Sequence, residues 1–231
     1  MRKLIIILLL GVLFFAIGMK FELPSPASYT DTKIVYKTLI KYLNNTIEVP
    51  VGQIYEKNIT VHGIAVFNDS TGGELVDIDL FLRAGYGGFL LDVSDKTFGS
   101  DFQETLTLIK SYAQSFTGRN LAYKDVVIRV DTSAESIQGA SGSAAIVVGL
   151  IAMLQNKTLK DGDVLTGVLQ PDGTLTSVNS LDAKVAVAKK VGVKEFLIPK
   201  VQCSDLNESQ KENISIVCVN SVQEALDRMT S

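Results

Sequence analysis

The sequence is poor in several residue types that catalytic and binding sites often use. Its 231 residues include no tryptophan, one histidine and two cysteines, and its 22 basic and 25 acidic side chains nearly balance. The balanced charge, with no cluster of Lys and Arg among aromatics, argues against a nucleic-acid partner. A single histidine and the lack of a Cys-x-x-Cys pattern argue against zinc, and we expect neither a metal nor another cofactor. Because 46% of the residues are hydrophobic, the chain can bury the core of one ordinary domain.

The scarcity of histidine also narrows the choice of catalytic chemistry. His62, the single histidine, lies in the alternating β-rich segment "ITVHGIAVF" with no catalytic motif around it. We therefore interpret it as a structural residue rather than as a member of a Ser-His-Asp triad. The carboxylates are scattered, and no two of them stand out as an acid–base pair. The remaining nucleophile chemistry is serine activated by a neutral lysine, one of the variants of this type of catalysis.

The N-terminus carries the longest apolar run. Sixteen uncharged residues, "LIIILLLGVLFFAIGM", follow two basic residues and end before Lys20. A membrane helix needs about 17–25 apolar residues and the core of a signal peptide about 7–15, so the run falls between the two. We predict that residues 1–20 form an uncleaved signal anchor, with a signal peptide cleaved near Ala16–Gly18 as the alternative. The preceding basic residues place the body outside the cytoplasm, either membrane-anchored or, after cleavage, secreted.

Two further features agree with export. Cys203 and Cys218 could close a short disulfide loop in an oxidising compartment, and a pair of free buried thiols is the alternative. The chain also contains six N-x-[Ser/Thr] glycosylation sequons, which make it a candidate glycoprotein. The sequons begin at Asn44, Asn58, Asn68, Asn156, Asn207 and Asn213.

The chain divides into three parts. After the apolar segment, residues 21–58 include the Pro- and Ser-containing linker "ELPSPAS" and a lead-in segment, and residues 59–231 form the main domain. In that domain, segments with the two-residue alternation of half-buried strands mix with segments of helical spacing. Helices are predicted at "SDFQETLTLIKSYAQSF", which Ser100 is expected to cap, and later at "AAIVVGLIAMLQ", "LDAKVAVAKKVG" and "SVQEALDRM". The mixture predicts one α+β domain without internal repeats.

The segment "IQGASGSAAIVVG" leads from small residues directly into an apolar helix. Gly139, Ala140, Ser141 and Gly142 form a turn that could cradle a phosphate, present a nucleophile, or let the helix pack tightly. The residues of this segment alone leave the three interpretations open.

Lys184 is the candidate base for such a serine. In "SLDAKVAVAKKVG" it stands among alanine and valine residues, and Asp182, two positions away, does not share its helix face. Burial there would lower the lysine pKa from about 10.4 towards roughly 7–8, where a neutral amine can accept a proton. A lysine that extends from an amphipathic helix to solvent is the alternative interpretation.

Together these two segments resemble the proteolytic domain of Lon-type proteases. "GASGSAA" matches the Gly-x-Ser nucleophile loop of that family, and Thr166-Gly167 matches its Thr-Gly pair. The stretch from Gly173 to Lys184 runs in register with the family, and "VGVKEFLIP" resembles its ending. The resemblance covers about residues 59–230 and implies the ribosomal protein S5 domain 2-like fold. It also implies that Ser141 is the nucleophile, that Lys184 is the general base and that Thr166 supports the pair. Backbone N–H groups at the helix N-terminus would then form the oxyanion hole.

The sequence also departs from the family pattern. Gln138 stands where the family has an acid three residues before the serine, and Glu135 is the candidate replacement. Val168 replaces a glutamate after Thr-Gly, and Ser177–Ser180 replaces Pro-x-Gly-Gly. No Gly-x4-Gly-Lys-[Ser/Thr] motif for ATP occurs. The resemblance therefore implies an ATP-independent, stand-alone, membrane-anchored relative of the archaeal type, which cleaves peptides or unfolded exported proteins and which can assemble as a ring.

Three alternatives remain beside this prediction. A non-catalytic, membrane-tethered binding or scaffold domain would keep the fold without turnover. Small-molecule kinases of the galactokinase–homoserine kinase group use a similar small-residue loop to hold ATP phosphates, but they are longer and lack the lysine segment. A signal-peptidase-like Ser–Lys enzyme would place its nucleophile near the membrane-proximal start of the domain, whereas Ser141 lies in mid-chain.

Overall fold

The structure is a computed structural model that describes residues 55–67, 72–92 and 97–231. Contacts group Gln53–Ser231 into one compact unit. The predicted apolar segment 1–20, nearly all of the linker 21–58, and the sequons at Asn44 and Asn68 lie outside the described residues. Across the described ranges, no helix combines the length and the apolar character needed to cross a membrane.

The described residues form a mixture of strands and helices, consistent with the α+β prediction. The strands are β1 (Lys57–Val66), β2 (Gly73–Ala84), β3 (Phe89–Asp92), β4 (Thr97–Phe98), β5 (Lys124–Asp131), β6 (Ser136–Ile137), β7 (Asp163–Leu165), β8 (Val168–Leu169), β9 (Leu175–Thr176), β10 (Glu195–Pro199) and β11 (Ser215–Val219). The α-helices are α1 (Ser100–Thr117), α2 (Ser143–Gln155), α3 (Leu181–Lys190), α4 (Glu208–Lys211) and α5 (Val222–Met229).

The first half of the domain is a four-stranded sheet in the order β1-β2-β5-β3. Within this sheet β1 pairs with β2, and β2 with β5, in antiparallel orientation, whereas β3 pairs with β5 in parallel. In β2 the apolar residues Val76, Ile78, Leu80 and Leu82 are buried at every second position. This alternation is the half-buried pattern visible in the sequence, and it turns one face of the sheet towards the helices.

The second half contains a smaller, all-parallel sheet in the order β11-β10-β7. Two short strand pairs complete the domain: β4 pairs with β6 in parallel, and β8 pairs with β9 antiparallel. The pair β4–β6 leads into the serine turn, and the pair β8–β9 lies between the Thr-Gly segment and the helix of Lys184. Along the chain, these two short strand pairs therefore adjoin the segments of the candidate site.

Helix α2 is the centre of the core. It is apolar all round, and every residue from Ser143 to Leu154 is buried. A helix of this kind must be covered on all sides, and α2 packs against α1, α5 and the first sheet. Gly149 allows its close approach to β1, because a Cβ at this position would lie 2.4 Å from Val61 Cγ1. Tight packing, one of the three interpretations of "IQGASGSAAIVVG", therefore applies to the helix body.

The N-terminal cap of α1 differs from the sequence prediction. Ser100 is the first residue of α1 rather than its cap, and Gly99 occupies the cap position without a side-chain bond. The Asp101 carboxylate instead accepts the Phe102 N–H at 2.9 Å. At α5, Ser221 caps the helix, since its Oγ accepts the Glu224 N–H at 3.2 Å.

Candidate active site

The serine turn depends on a glycine at its first position. Gly139 has φ 84° and ψ 145°, a backbone conformation that residues with a Cβ rarely adopt. A 3₁₀ turn, Ala140–Gly142, follows and runs directly into α2. Ser141 is the middle residue of this turn and is half-buried. The turn thus presents Ser141 at the N-terminus of a buried helix, where free N–H groups attract negative charge.

The Thr-Gly segment holds the serine turn from its other side. The Ser141 carbonyl accepts the Gly167 N–H at 2.9 Å and the Thr166 hydroxyl at 3.4 Å. In return, the Gly167 carbonyl accepts the Ala144 N–H at 3.2 Å. Thr166 is buried, with 2% of its surface exposed. The structure therefore brings Thr166 to the main chain of Ser141.

Ser143 supports the same junction. It is buried, and its hydroxyl donates to the Gly167 carbonyl at 3.3 Å while accepting the Leu169 N–H at 2.9 Å. Both hydrogen-bonding roles of this hydroxyl are used inside the fold. Ser141, whose hydroxyl makes no hydrogen bond within the described residues, is the better candidate nucleophile of the two.

Lys184 is buried on the inner face of α3, with 6% of its surface exposed. Its ammonium donates a hydrogen bond to the Ile64 carbonyl on β1, and it forms no ion pair with any acid that the structure describes. Burial alone lowers the pKa of Lys184 to about 8, because the charged form loses its hydration. Near physiological pH a larger fraction of this buried amine is therefore neutral than of an ordinary lysine.

The start of α3 is built on an unusual serine. Ser180 has φ 56°, in the left-handed region that favours glycine. It stands in the segment where the resemblance expects paired glycines, so a serine here adopts a conformation that glycine adopts more easily. The Ser180 carbonyl accepts the Lys184 N–H at 3.0 Å, which ties the first turn of α3 to this serine.

The segment of Ser141 and the acceptor strand of Lys184 share one neighbouring side chain, that of Ile78. No hydrogen bond joins the side chains of Ser141 and Lys184 among the described residues, since the Lys184 amine is directed to Ile64. One side chain, however, lies between the two segments. Ile78 Cδ1 stands 3.9 Å from the point where a Cβ on Gly142 would lie, and 3.8 Å from the corresponding point on Gly63. Gly63 directly precedes Ile64, so the serine turn and the lysine acceptor both border Ile78.

The acid that contacts the serine turn comes from α1. Asp101 Oδ2 accepts the Gly139 N–H at 2.7 Å. Glu135, the replacement suggested by the sequence, is exposed, and its carbonyl bonds to Thr97. Gln138 is also exposed and donates to Ser136 Oγ at 3.3 Å. The sequence offered no signal for the contact of Asp101, because 38 positions separate it from Gly139.

No hydrogen bond joins the remaining candidates to Ser141 or Lys184 in the described part of the chain. His62 on β1 faces Asp77 on β2, and its Nδ1 lies 2.7 Å from Asp77 Oδ1, but no described serine hydroxyl bonds to the ring as a triad would require. No group of three or more His, Cys, Asp or Glu suited to a metal ion occurs in the described ranges. Cys203 and Cys218 form a disulfide with a Cα–Cα distance of 6.1 Å, which joins the segment after β10 to β11.

Comparison with known proteins places these features in a family. The family model of the Lon protease (S16) C-terminal proteolytic domain matches residues 34–230, which begins before the predicted domain boundary at residue 59. The archaeal Lon protease of Methanocaldococcus jannaschii is 26% identical over 172 residues, or 71% of this chain and 26% of that protein. The Lon protease of Neorickettsia sennetsu is 28% identical over 165 residues, or 68% and 20%.

A third relative extends the match further along the chain. The archaeal Lon protease of Thermoplasma acidophilum is 23% identical over 214 residues, which is 84% of this chain and 32% of that protein. The chain thus spans a third or less of the length of these relatives. Because the family model covers most of its residues, the chain belongs to the Lon proteolytic-domain family, which consists of serine peptidases. This membership decides against the small-molecule kinase alternative.

Proposed function

We propose that this chain is an ATP-independent endopeptidase in which Ser141 is the nucleophile and Lys184 the general base. The observation that carries the proposal is the buried amine of Lys184, whose pKa lies at about 8 and which has no acidic partner among the described residues. A lysine of this kind accepts a proton near neutral pH, whereas an exposed lysine does not. The glycine turn supplies the nucleophile.

The reaction follows from these positions. The neutral Lys184 amine takes the proton of the Ser141 hydroxyl as Oγ attacks the peptide carbonyl carbon. The resulting oxyanion is stabilised by backbone N–H groups of the serine turn that leads into α2. Collapse of the tetrahedral intermediate breaks the C–N bond, and the lysine ammonium returns its proton to the leaving amine. Water, deprotonated by the same lysine, then hydrolyses the acyl-enzyme and releases Ser141.

The hydrogen bond to Ile64 has a defined place in this scheme. A neutral amine has two N–H groups and one lone pair. A bond from one N–H to the Ile64 carbonyl restricts the rotation of Nζ and leaves the lone pair available to the serine proton. Catalytic hydrogen bonds commonly tighten only when substrate is bound, so the resting bond to Ile64 is compatible with the dyad. In a non-catalytic scaffold domain, the Lys184 amine would instead keep its hydrogen bond to the Ile64 carbonyl and would not accept the Ser141 proton.

Hydrolysis of an unfolded protein by the full chain in mild detergent tests this function. We expect wild type to cleave fluorescently labelled casein, and Ser141→Ala and Lys184→Ala to lose activity by about 10³-fold or more. Ser136→Ala and Lys190→Ala alter exposed residues near the same elements and should retain activity. The wild-type rate should rise as the pH increases through about 8, since the base is active when neutral. Equal inactivity of all five proteins would favour the scaffold domain.

The proposed location is the outer face of a membrane. Residues 1–20 would serve as the anchor, and the substrates would be peptides or unfolded exported proteins. The disulfide suits an oxidising compartment, and the sequons at Asn58, Asn156, Asn207 and Asn213 are exposed. Protease protection of the chain in sealed vesicles tests the orientation. Cleavage of the domain from the cytoplasmic side alone would contradict the proposal.

Ring assembly is also part of the proposal, since it is implied by the resemblance to Lon-type domains. Light scattering of the full chain in detergent measures the subunit number directly. A uniform multimer would support a ring, whereas a monomer at all concentrations would contradict it.

A further inference from the structure

The serine turn is fixed from two sides by different kinds of contact. On its C-terminal side, the main-chain N–H of Gly167 donates to the Ser141 carbonyl. On its N-terminal side, the contact comes from a side chain, since Asp101 Oδ2 accepts the Gly139 N–H at 2.7 Å. A bond to a carboxylate is stronger than a bond between neutral groups. The orientation of the Gln138–Gly139 peptide therefore depends on a residue of α1.

The Asp101 carboxylate is itself held in place. Its other oxygen, Oδ1, accepts the Phe102 N–H at 2.9 Å, and Phe102 is buried in the core. The chain before α1 is joined to the strand before the turn, because the Gly99 N–H donates to the Ile137 carbonyl at 2.9 Å. The carboxylate thus bridges the first turn of α1 and the first residue of the serine turn.

Gly139 is the position where such a bridge has most effect. Its φ of 84° is accessible to glycine alongside several other conformations, so the free residue would sample them all. A hydrogen bond to its N–H selects one of them. Two residues later the chain reaches Ser141, and an error in this peptide plane would displace Oγ from the reacting carbonyl. Displacements of about 1 Å can reduce rates by about 100-fold.

We propose that Asp101 is a positioning residue, which holds the Gly139 peptide so that Ser141 is correctly placed to attack. This inference rests on the proposed peptidase function. The carboxylate acts through the backbone and not through Lys184, whose pKa is lowered by burial alone. Asp101 also occupies the Gly139 N–H, so that this group is not one of the oxyanion donors.

The first test is a set of kinetic measurements on the full chain with a peptide substrate. Asp101→Ala should lower kcat about 10- to 100-fold and leave KM unchanged. Asp101→Asn keeps one side-chain oxygen that can accept the Gly139 N–H, so its kcat should fall less than that of Asp101→Ala. The pH midpoint near 8 should stay the same. Glu104→Ala, an exposed acid in the next turn of α1, is the matched control. An unchanged kcat, or an equal loss in the control, would overturn the proposal.

A double-mutant cycle separates positioning from general destabilisation. Gly139→Ala places a Cβ on a positive φ and should disturb the same peptide independently. If Asp101 acts through Gly139, the double variant should lose clearly less activity than the product of the two single losses. Multiplicative losses would show that the two residues act independently and would refute the mechanism.

Hydrogen exchange provides a measurement that does not depend on activity. The Gly139 amide should exchange about tenfold faster in Asp101→Ala than in wild type, because it loses a charge-assisted bond. Amides of α3 should not change. If wild type is inert towards peptides while Gly139 exchange responds, the peptidase function fails and the contact stands. If exchange does not respond, the positioning role fails whatever the activity.

Discussion

The two halves of the candidate site are stabilised by different means. The serine turn is half-buried, accepts hydrogen bonds from Thr166 and Gly167, and donates one to the Asp101 carboxylate. The lysine lies on a helix whose inner face is packed in the core, and one main-chain carbonyl is its hydrogen-bond acceptor in the described structure. Hydrogen-bond geometry therefore sets the position of Ser141, whereas burial from water sets the pKa of Lys184. Substitutions should separate the two, because the first half is sensitive to position and the second to pH.

The largest expected effect is on the lysine half. Lys184→Arg keeps a positive charge and a long side chain, but a guanidinium does not release its proton in proteins. We expect activity on labelled casein to fall by about 10³-fold or more at every pH from 6 to 10. Lys190→Arg, at an exposed position on the same helix, is the control. Substantial activity of Lys184→Arg that rises with pH would exclude Lys184 as the base.

The second prediction concerns stability rather than rate. The pKa of Lys184 is about 8 in the fold against an ordinary value of 10.5, so between these values the unfolded chain binds more protons than the folded chain. Stability must then rise with pH across this window. Lys184→Met removes the effect and should be more stable than wild type below pH 8, by on the order of 3 kcal/mol.

Chemical denaturation of both proteins across pH 7 to 10.5 measures this difference. The advantage of Lys184→Met should shrink as the pH rises. If the difference in unfolding free energy between Lys184→Met and wild type stayed constant with pH, Lys184 would not be desolvated in the fold. The lysine half of the site would then not be controlled by burial. Lys190→Met, which changes an exposed lysine, controls for the general effect of removing a charge.

A smaller effect is expected on the serine half. Thr166→Val removes the hydroxyl that donates to the Ser141 carbonyl but preserves the shape of the buried side chain. The bond is long, at 3.4 Å, so we expect kcat to fall only about threefold to tenfold. The pH profile should not move. Thr166→Ser keeps the hydroxyl and should retain most of the activity. A shifted pH midpoint in Thr166→Val would show that the two halves are electrostatically coupled.

The disulfide should have the smallest effect on catalysis. It closes a loop between positions 15 residues apart, distant in sequence from the serine turn. Replacing both Cys203 and Cys218 with serine should cost about 3 kcal/mol of stability through the unfolded-state entropy. The kcat at 25 °C should be unchanged. A matching loss of kcat under conditions where the variant remains folded would show that this loop contributes to the site.

Local patterns in the sequence predicted most of the strands and helices, and the resemblance to the Lon proteolytic domain selected the two candidate residues. The alternation in β2 and the helical spacing of α1, α2 and α3 all correspond to elements of the structure. The apolar neighbours of Lys184 were compatible with a buried or a solvent-reaching side chain, and the fold buries it. These features depend on residues a few positions apart, whose side chains share a face by the geometry of the helix or strand alone.

The partners of the site residues were decided by the tertiary structure. Lys184 and its acceptor Ile64 are 120 positions apart, and Asp101 is 38 positions from Gly139. A backbone carbonyl has no sequence signature, and Asp101 appeared only as an acid in the first turn of a helix. Because such contacts arise when sheets and helices pack, no periodicity within one segment reveals them. The sequence by itself determined the elements and the serine and lysine candidates, and the packing decided what holds each of them in place.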